Sequence, residues 1–182
     1  MSAERLQLWK SIVDHDRHGN LSQELKDKLT YALASFTQEI DFGDDVMRHF
    51  KATELSLFDR PEDGKKHARV VIQVDVHRGM MNSRNNLHGG CITYLVDICS
   101  SVALSLLGIA TGGPVELVSQ SINTIFHAGA TLGDRLHIIN ESVSAGSRAV
   151  TARVEIWDIT HHRLVATGTH IKMTPGVPKT KL

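Results

Sequence analysis

A carboxylate and a glycine pair stand eight residues apart in an arrangement that suits attack on a polarised carbonyl: Gly89-Gly90 behind His88, and Asp97. Asp97 interrupts an almost wholly apolar run from Cys91 to Ala110. A carboxylate in such a run is costly unless it is hydrogen-bonded or put to use. Burial raises its pKa and nearby donors lower it again. As a carboxylate it takes a proton from water or attacks a carbonyl directly. The alternative is a structural acid bonded to Ser100, Ser101 or a backbone amide. Gly89 and Gly90 mark the start of a helix, where free N–H groups and the positive end of the dipole converge and no side chain blocks a ligand oxygen. That arrangement suits an oxyanion; it also suits a tight entry where backbones pack. His88 is either an orienting group or base, or a cap. Asn82, Asn85 and Asn86 supply amide donors, and are equally ordinary turn residues.

These residues need a helix and a sheet to hold them. The run after Gly90 is apolar on all sides, the character of a helix in a core or a membrane rather than on a surface. Asp97, the Ser and Thr residues and the absence of directly flanking Lys or Arg argue against a membrane span. Gly112-Gly113-Pro114 ends the helix. Alternation predicts strands over residues 50–58 and 67–76 before it, and over 115–126, 135–144, 149–157 and 164–173 after it. In residues 149–157, Val150, Ala152, Val154 and Ile156 point to one face and Thr151, Arg153, Glu155 and Trp157 to the other. The expected architecture is α+β: an antiparallel β-sheet wrapped around a long central α-helix. Residues 1–49 read as a helical, peripheral extension, with stripes at Leu6, Trp9, Val13 and at Leu25, Leu29, Leu33, Phe36, broken by Gly19-Asn20. Residues 50–175 are the main domain and 176–182 a tail.

Lys plus Arg equals Asp plus Glu, 20 against 20, which removes the bulk electrostatic case for a nucleic-acid partner. Cys91 and Cys99 lie eight apart on the expected helix, about 12 Å, too far for a disulfide. Two unpaired thiols fit a reducing compartment, and a cytoplasmic address is expected, with a mitochondrial one as the alternative. The final Lys-Thr-Lys-Leu faintly resembles a peroxisomal tail, but Thr180 stands where a small Ser or Ala is usual. The first twenty residues hold no apolar signal core. His15 and His18 lack companions at zinc-ligand spacing. His127, Arg135 and Arg148 are available cations, and Arg148 beside Gly146-Ser147 suits a phosphate or a solvated hairpin tip. No P-loop, dinucleotide fingerprint or nucleophile elbow is present.

Taken together, Asn82-x5-His88-Gly89-Gly90-x6-Asp97, then Ser119-x3-Asn123 and Leu132-Gly133-Asp134, resembles the hotdog-fold acyl-CoA thioesterases of the phenylacetate-degradation type, small eukaryotic acyl-coenzyme A thioesterases among them. The resemblance covers roughly residues 50–173. It implies that the Gly89 N–H and Asn82 bind and polarise the thioester carbonyl. Asp97 is then general base or nucleophile, Ser119 helps place the water, and His88 orients the site. It also implies homodimers with shared sites, assembled further into tetramers, in which Asp97 and Ser119 come from one subunit and Gly89 and Asn82 from the other. Gly90, Phe126, His127, Ser144, Gly146, Ser147 and Arg148 match the region that binds substrate and coenzyme A. No metal and no separate cofactor is implied, since coenzyme A is part of the substrate. Gly129 replaces a proline of the family, which predicts a looser loop there. The rival readings are an acyl-CoA hydratase or dehydratase and a non-catalytic acyl-CoA-binding protein.

Overall fold

The computed structural model describes residues 1–36 and 41–176. The tail that carries Lys-Thr-Lys-Leu therefore lies outside the described residues. Six strands form one antiparallel sheet: β1 (Lys51–Arg60), β2 (Lys65–Asp75), β3 (Val118–Phe126), β4 (Arg135–Ala145), β5 (Ala149–Asp158) and β6 (Arg163–Met173). Their spatial order is β1-β2-β4-β5-β6-β3. Three helices precede β1: α1 (Ala3–Val13), α2 (Gln23–Phe36) and the short α3 (Asp44–Met47). The long helix α4 (Gly89–Thr111) lies against β2, β3, β4, β5 and β6. This is the hotdog architecture, with the helix as filling.

The inward row of β5 is as the alternation predicts: Val150, Ala152, Val154 and Ile156 are all buried. Helix α4 is long and apolar enough to cross a membrane, yet two-thirds of its most apolar window is buried inside the chain. Its apolarity is used in a core. It is not buried on all sides, however. From Val102 to Gly108 the side chains are enclosed all round, whereas Cys91, Tyr94, Asp97 and Ile98 are only partly covered. The helix stops at Gly112, which takes the left-handed conformation (φ 67°). The following segment reaches Val118 before β3 begins, three residues later than the alternation predicts.

The extension is less peripheral than its stripes suggest. Trp9, Ile12, Val13, Leu29, Leu33 and Ala34 belong to the same apolar core as α4 and the sheet. Phe36, expected on the buried stripe, is exposed. The segment after α1 also runs along the outer edge of β1. Arg17 and His18 donate to the Thr53 carbonyl (both 3.3 Å) and Asn20 N–H to that of Leu55 (3.1 Å). The Asn20 side chain bonds the backbone of Leu57 in both directions. Gly19 makes this possible: a Cβ there would fall 2.1 Å from the Leu55 carbonyl oxygen. One edge of the sheet is thus closed. The other, β3, pairs only with β6 and leaves Val118, Ile125 and Phe126 exposed.

Candidate active site

The entry to α4 is built by its own cap. His88 is extended (φ −69°, ψ 132°) and its Nδ1 accepts the Gly90 N–H at 2.9 Å. That satisfies one of the orphan donors of the first turn. Of the two expected roles for His88, the structure shows the cap. The Gly89 N–H has no partner among the described residues, and it points from the positive end of a 23-residue helix. Phe126 stands beside it: a Cβ on Gly89 would lie 3.6 Å from the Phe126 ring. Asn82 shapes the entry loop, its Oδ1 accepting from Arg84 N (2.8 Å) and Asn86 N (3.2 Å). The segment just after Gly129 is hydrogen-bonded to its surroundings. Leu87 N donates to the Ala130 carbonyl (2.8 Å), and Thr131 is tied to Asp134. A Cβ on Gly129 would fall 2.7 Å from Asn86 Oδ1, so that side chain would have to turn aside.

A second cluster forms around Asp97, two turns further along α4. Ser119 on β3 places its Oγ 3.4 Å from Asp97 Oδ1 and 2.9 Å from His170 Nε2. His170, on β6, bonds Ser100 Oγ through Nδ1 at 2.7 Å. Ser100 donates its hydroxyl hydrogen to the Val96 carbonyl (2.6 Å), so it accepts from His170 Nδ1–H. Nε2 is then an acceptor, and the single Ser119 O–H is shared between it at 2.9 Å and Asp97 Oδ1 at 3.4 Å. This leaves the Ser119 oxygen lone pairs free to hold a water beside Asp97. Burial, and then the charge of Lys172, push the His170 pKa down to about 4, against a smaller opposing pull from Asp97. His170 is therefore a neutral strut at physiological pH. Lys172 donates to Ser101 (2.7 Å), and burial lowers its pKa too.

Two expectations change. Asp97 is not a buried acid: its side chain is 45% exposed in the single chain, whereas His170, 3.7 Å away, is fully enclosed. The carboxylate sits on the open face of α4, where a substrate can reach it. Ser100 and Ser101 bond the Asp97 backbone carbonyl, not its carboxylate. His170 and Lys172 were absent from the sequence-derived site. The available signal was alternation in β6, which turns Ala166, Gly168 and His170 to the buried face.

The halves do not meet within one chain. Gly89 and Asp97 are eight residues apart on one helix, about 12 Å. The hairpin bearing Ser144, Gly146, Ser147 and Arg148 lies elsewhere again. Its residues Gly146 and Ser147 share a cleft with Leu107, Gly108 and Thr111 at the far end of α4. His127 is beside Phe126 and bonds Thr167 Oγ1 (3.0 Å). Among the described residues one acidic cluster has metal-compatible spacing, Asp134, Asp158 and His161. Arg163 already lies against both acids, its Nε 3.0 Å from Asp158 and its Nη2 3.5 Å from Asp134.

Residues 84–165 match the Thioesterase superfamily. That match holds Gly89, Asp97 and Ser119 but leaves out the extension and His170. The chain is 27% identical to mouse (Mus musculus) acyl-coenzyme A thioesterase 13 over 104 residues, 57% of this chain and 71% of that protein. Its fold is similar to that of zebrafish thioesterase superfamily member 2, with a TM-score of 0.64, 24% identity, and coverage of 86% of this chain and all of that one. A Streptococcus pneumoniae hypothetical thioesterase, solved with coenzyme A, is similar at a TM-score of 0.50 and 24% identity, covering 59% of this chain and 79% of that one.

Proposed function

We propose that this chain hydrolyses the thioester of acyl-CoA to a free fatty or aryl acid and coenzyme A. The observation that carries the reading is the division of labour along α4: an unpartnered Gly89 N–H at the helix N-terminus, and a carboxylate with a hydroxyl braced by a neutral histidine two turns on. The Gly89 N–H, aided by Asn82, polarises the thioester carbonyl and stabilises the oxyanion as it forms. Asp97 takes a proton from a water held by the Ser119 oxygen, and that water attacks; direct attack by the carboxylate is the variant of the same step. The tetrahedral intermediate collapses, the proton held by Asp97 passes to the departing sulfur, and the acid and coenzyme A leave; in the direct-attack variant collapse leaves an acyl–Asp97 anhydride that water then hydrolyses. The reaction as written needs no metal or separate cofactor. A Streptococcus pneumoniae neighbour holding coenzyme A, and a mouse relative named acyl-coenzyme A thioesterase, support the substrate class.

The separation of about 12 Å between Gly89 and Asp97 forbids both from serving one carbonyl inside a protomer. A two-fold dimer joined at the free β3 edge brings Gly89 of one copy to Asp97 of the other, and the exposed Ile125 and Phe126 on that edge supply apolar surface for it. The hydratase reading is weaker. His170 is the histidine near Asp97, and it is enclosed with both ring nitrogens engaged, so it cannot hand a proton to a substrate.

The test is release of free thiol from a panel of acyl-CoAs. Asp97→Asn is expected to lower kcat by about 10²–10⁴-fold with the circular dichroism spectrum unchanged. Near-normal turnover by that variant overturns the mechanism. Co-refolding Asp97→Asn with Gly89→Pro checks the shared site. Each mixed dimer then holds one intact site, so about a quarter of wild-type activity returns on random pairing. No recovery places both halves in one subunit.

A further inference from the structure

The extension also shapes the space beside the oxyanion glycine. Between α3 and the first turns of α4 lies a cavity of about 390 Å³. Phe42 and Val46 of the extension, Met81 of the entry loop, and Gly90, Cys91 and Tyr94 of α4 line it. The Tyr94 hydroxyl donates to the Gly43 carbonyl oxygen (3.3 Å), and its ring meets Phe42 edge-on with centroids 5.6 Å apart. Gly43 has φ 79°, and a Cβ there would fall 2.3 Å from the Tyr94 ring, so only glycine lets the extension close down on the helix. Phe42 is 84% exposed, a large apolar side chain held at a cavity rim rather than in the core. Burial raises the Cys91 thiol to about 11 and lifts the Tyr94 phenol as well, so both stay neutral at physiological pH. Asp45, also on the lining, is largely exposed, with its carboxylate 3.9 Å from His77.

We infer that this cavity receives the hydrocarbon part of the acyl group, and that Phe42, Val46, Cys91 and Tyr94 set which acyl groups are accepted; the inference rests on the thioesterase reading above. A carbonyl on the Gly89 N–H brings its acyl carbon to the first turn of α4, and Gly90 and Cys91 on that turn open onto the cavity. Gly90, Tyr94 and Asp97 follow at spacings of four and three, which puts the cavity on the helix face that carries the catalytic carboxylate. The volume is at the low end of the about 300–1,000 Å³ typical of ligand pockets, which suits an acyl or arylacyl group and not the coenzyme. The superfamily match begins at residue 84, so Phe42 and Val46 lie outside it.

The experiment compares kcat/KM from acetyl-CoA to long-chain acyl-CoAs, with phenylacetyl-CoA, for the full chain, Cys91→Phe and Phe42→Ala. Cys91→Phe fills the cavity and is expected to cut kcat/KM for the longest groups at least about tenfold, with acetyl-CoA changed less than about threefold. Phe42→Ala removes an exposed side chain, so the fold is kept, and it flattens the dependence on length; each methylene that loses contact is worth about fourfold. Binding of non-hydrolysable alkyl thioethers of coenzyme A is measured in parallel by calorimetry. Profiles of both variants that superimpose on the wild type overturn the cavity assignment while hydrolysis stands. A wild type that hydrolyses no acyl-CoA overturns the thioesterase reading instead. In that case, thioether affinity that rises with alkyl length, and stops rising in Cys91→Phe, supports the cavity; affinity independent of length overturns it.

Discussion

At the level of single residues, His170 shows what a linear reading leaves out. Asp97 and Gly89 are legible because each breaks a local pattern, an acid in an apolar run and a glycine pair at a helix start, whereas Ser119, in a strand that also holds Ser121 and Thr124, stands out only through the family resemblance. His170 breaks none that is visible locally. It reaches Ser119 only because β3 and β6 pair antiparallel, with Ile122 opposite His170 and Ser119 opposite Lys172. In the proposed mechanism it is a positioning residue, which has two consequences. His170→Gln is expected to lower kcat by about tenfold with KM little changed, because the serine loses its brace while the carbonyl site is intact. Steady-state kinetics on the acyl-CoA panel measures that split. The variant also alters stability against pH. The His170 pKa falls from 6.5 in the unfolded chain to about 4 in the fold. Between those values the unfolded state binds more protons, so this contribution is present above 6.5 and is lost as pH falls toward 4. Thermal melts across that window are expected to show a steeper loss for the wild type than for His170→Gln. Equal slopes refute the buried neutral histidine.

At the level of elements, α4 is the part most fully readable beforehand, since its apolar run, its Gly-Gly entry and its Gly-Gly-Pro exit are all local signals. The strands follow from period-2 alternation, and the late start of β3 reflects a segment after Pro114 that never joins the ladder. What was not legible is the depth at which the extension packs. Trp9 and Leu29 look like one stripe of a surface helix, and only the three-dimensional fold shows that they complete the common core. The cap at the start of α4 offers a clean perturbation. Gly89 is the first helical residue, a position that tolerates proline, and His88 before it already has the extended backbone a proline requires. Gly89→Pro therefore deletes one N–H and little else. A melting temperature within a few degrees of the wild type, with kcat reduced about 10²–10³-fold, is the expected result. A variant that keeps its activity removes the Gly89 N–H from the mechanism.

For the whole molecule, the two edges of the sheet differ in kind. β1 has its outward hydrogen bonds taken up by residues 17–20, whereas β3 is open and partly apolar. The proposed dimer uses the open edge. Ile125→Asp, on that edge, is expected to convert a species of about twice 20.1 kDa into one of 20.1 kDa by light scattering, with activity lost in step because each site of the proposed dimer draws on both copies. The closed edge carries a further consequence, best put in the language of polymer chemistry. A monomer with one reactive end couples once and stops; a monomer with two propagates. The backbone bonds of Arg17, His18 and Asn20, admitted by Gly19, are the chain terminator. Gly19→Val pushes that segment off β1 and turns a monofunctional unit into a bifunctional one, so its scattering mass is expected to climb with concentration toward open-ended strand-by-strand growth.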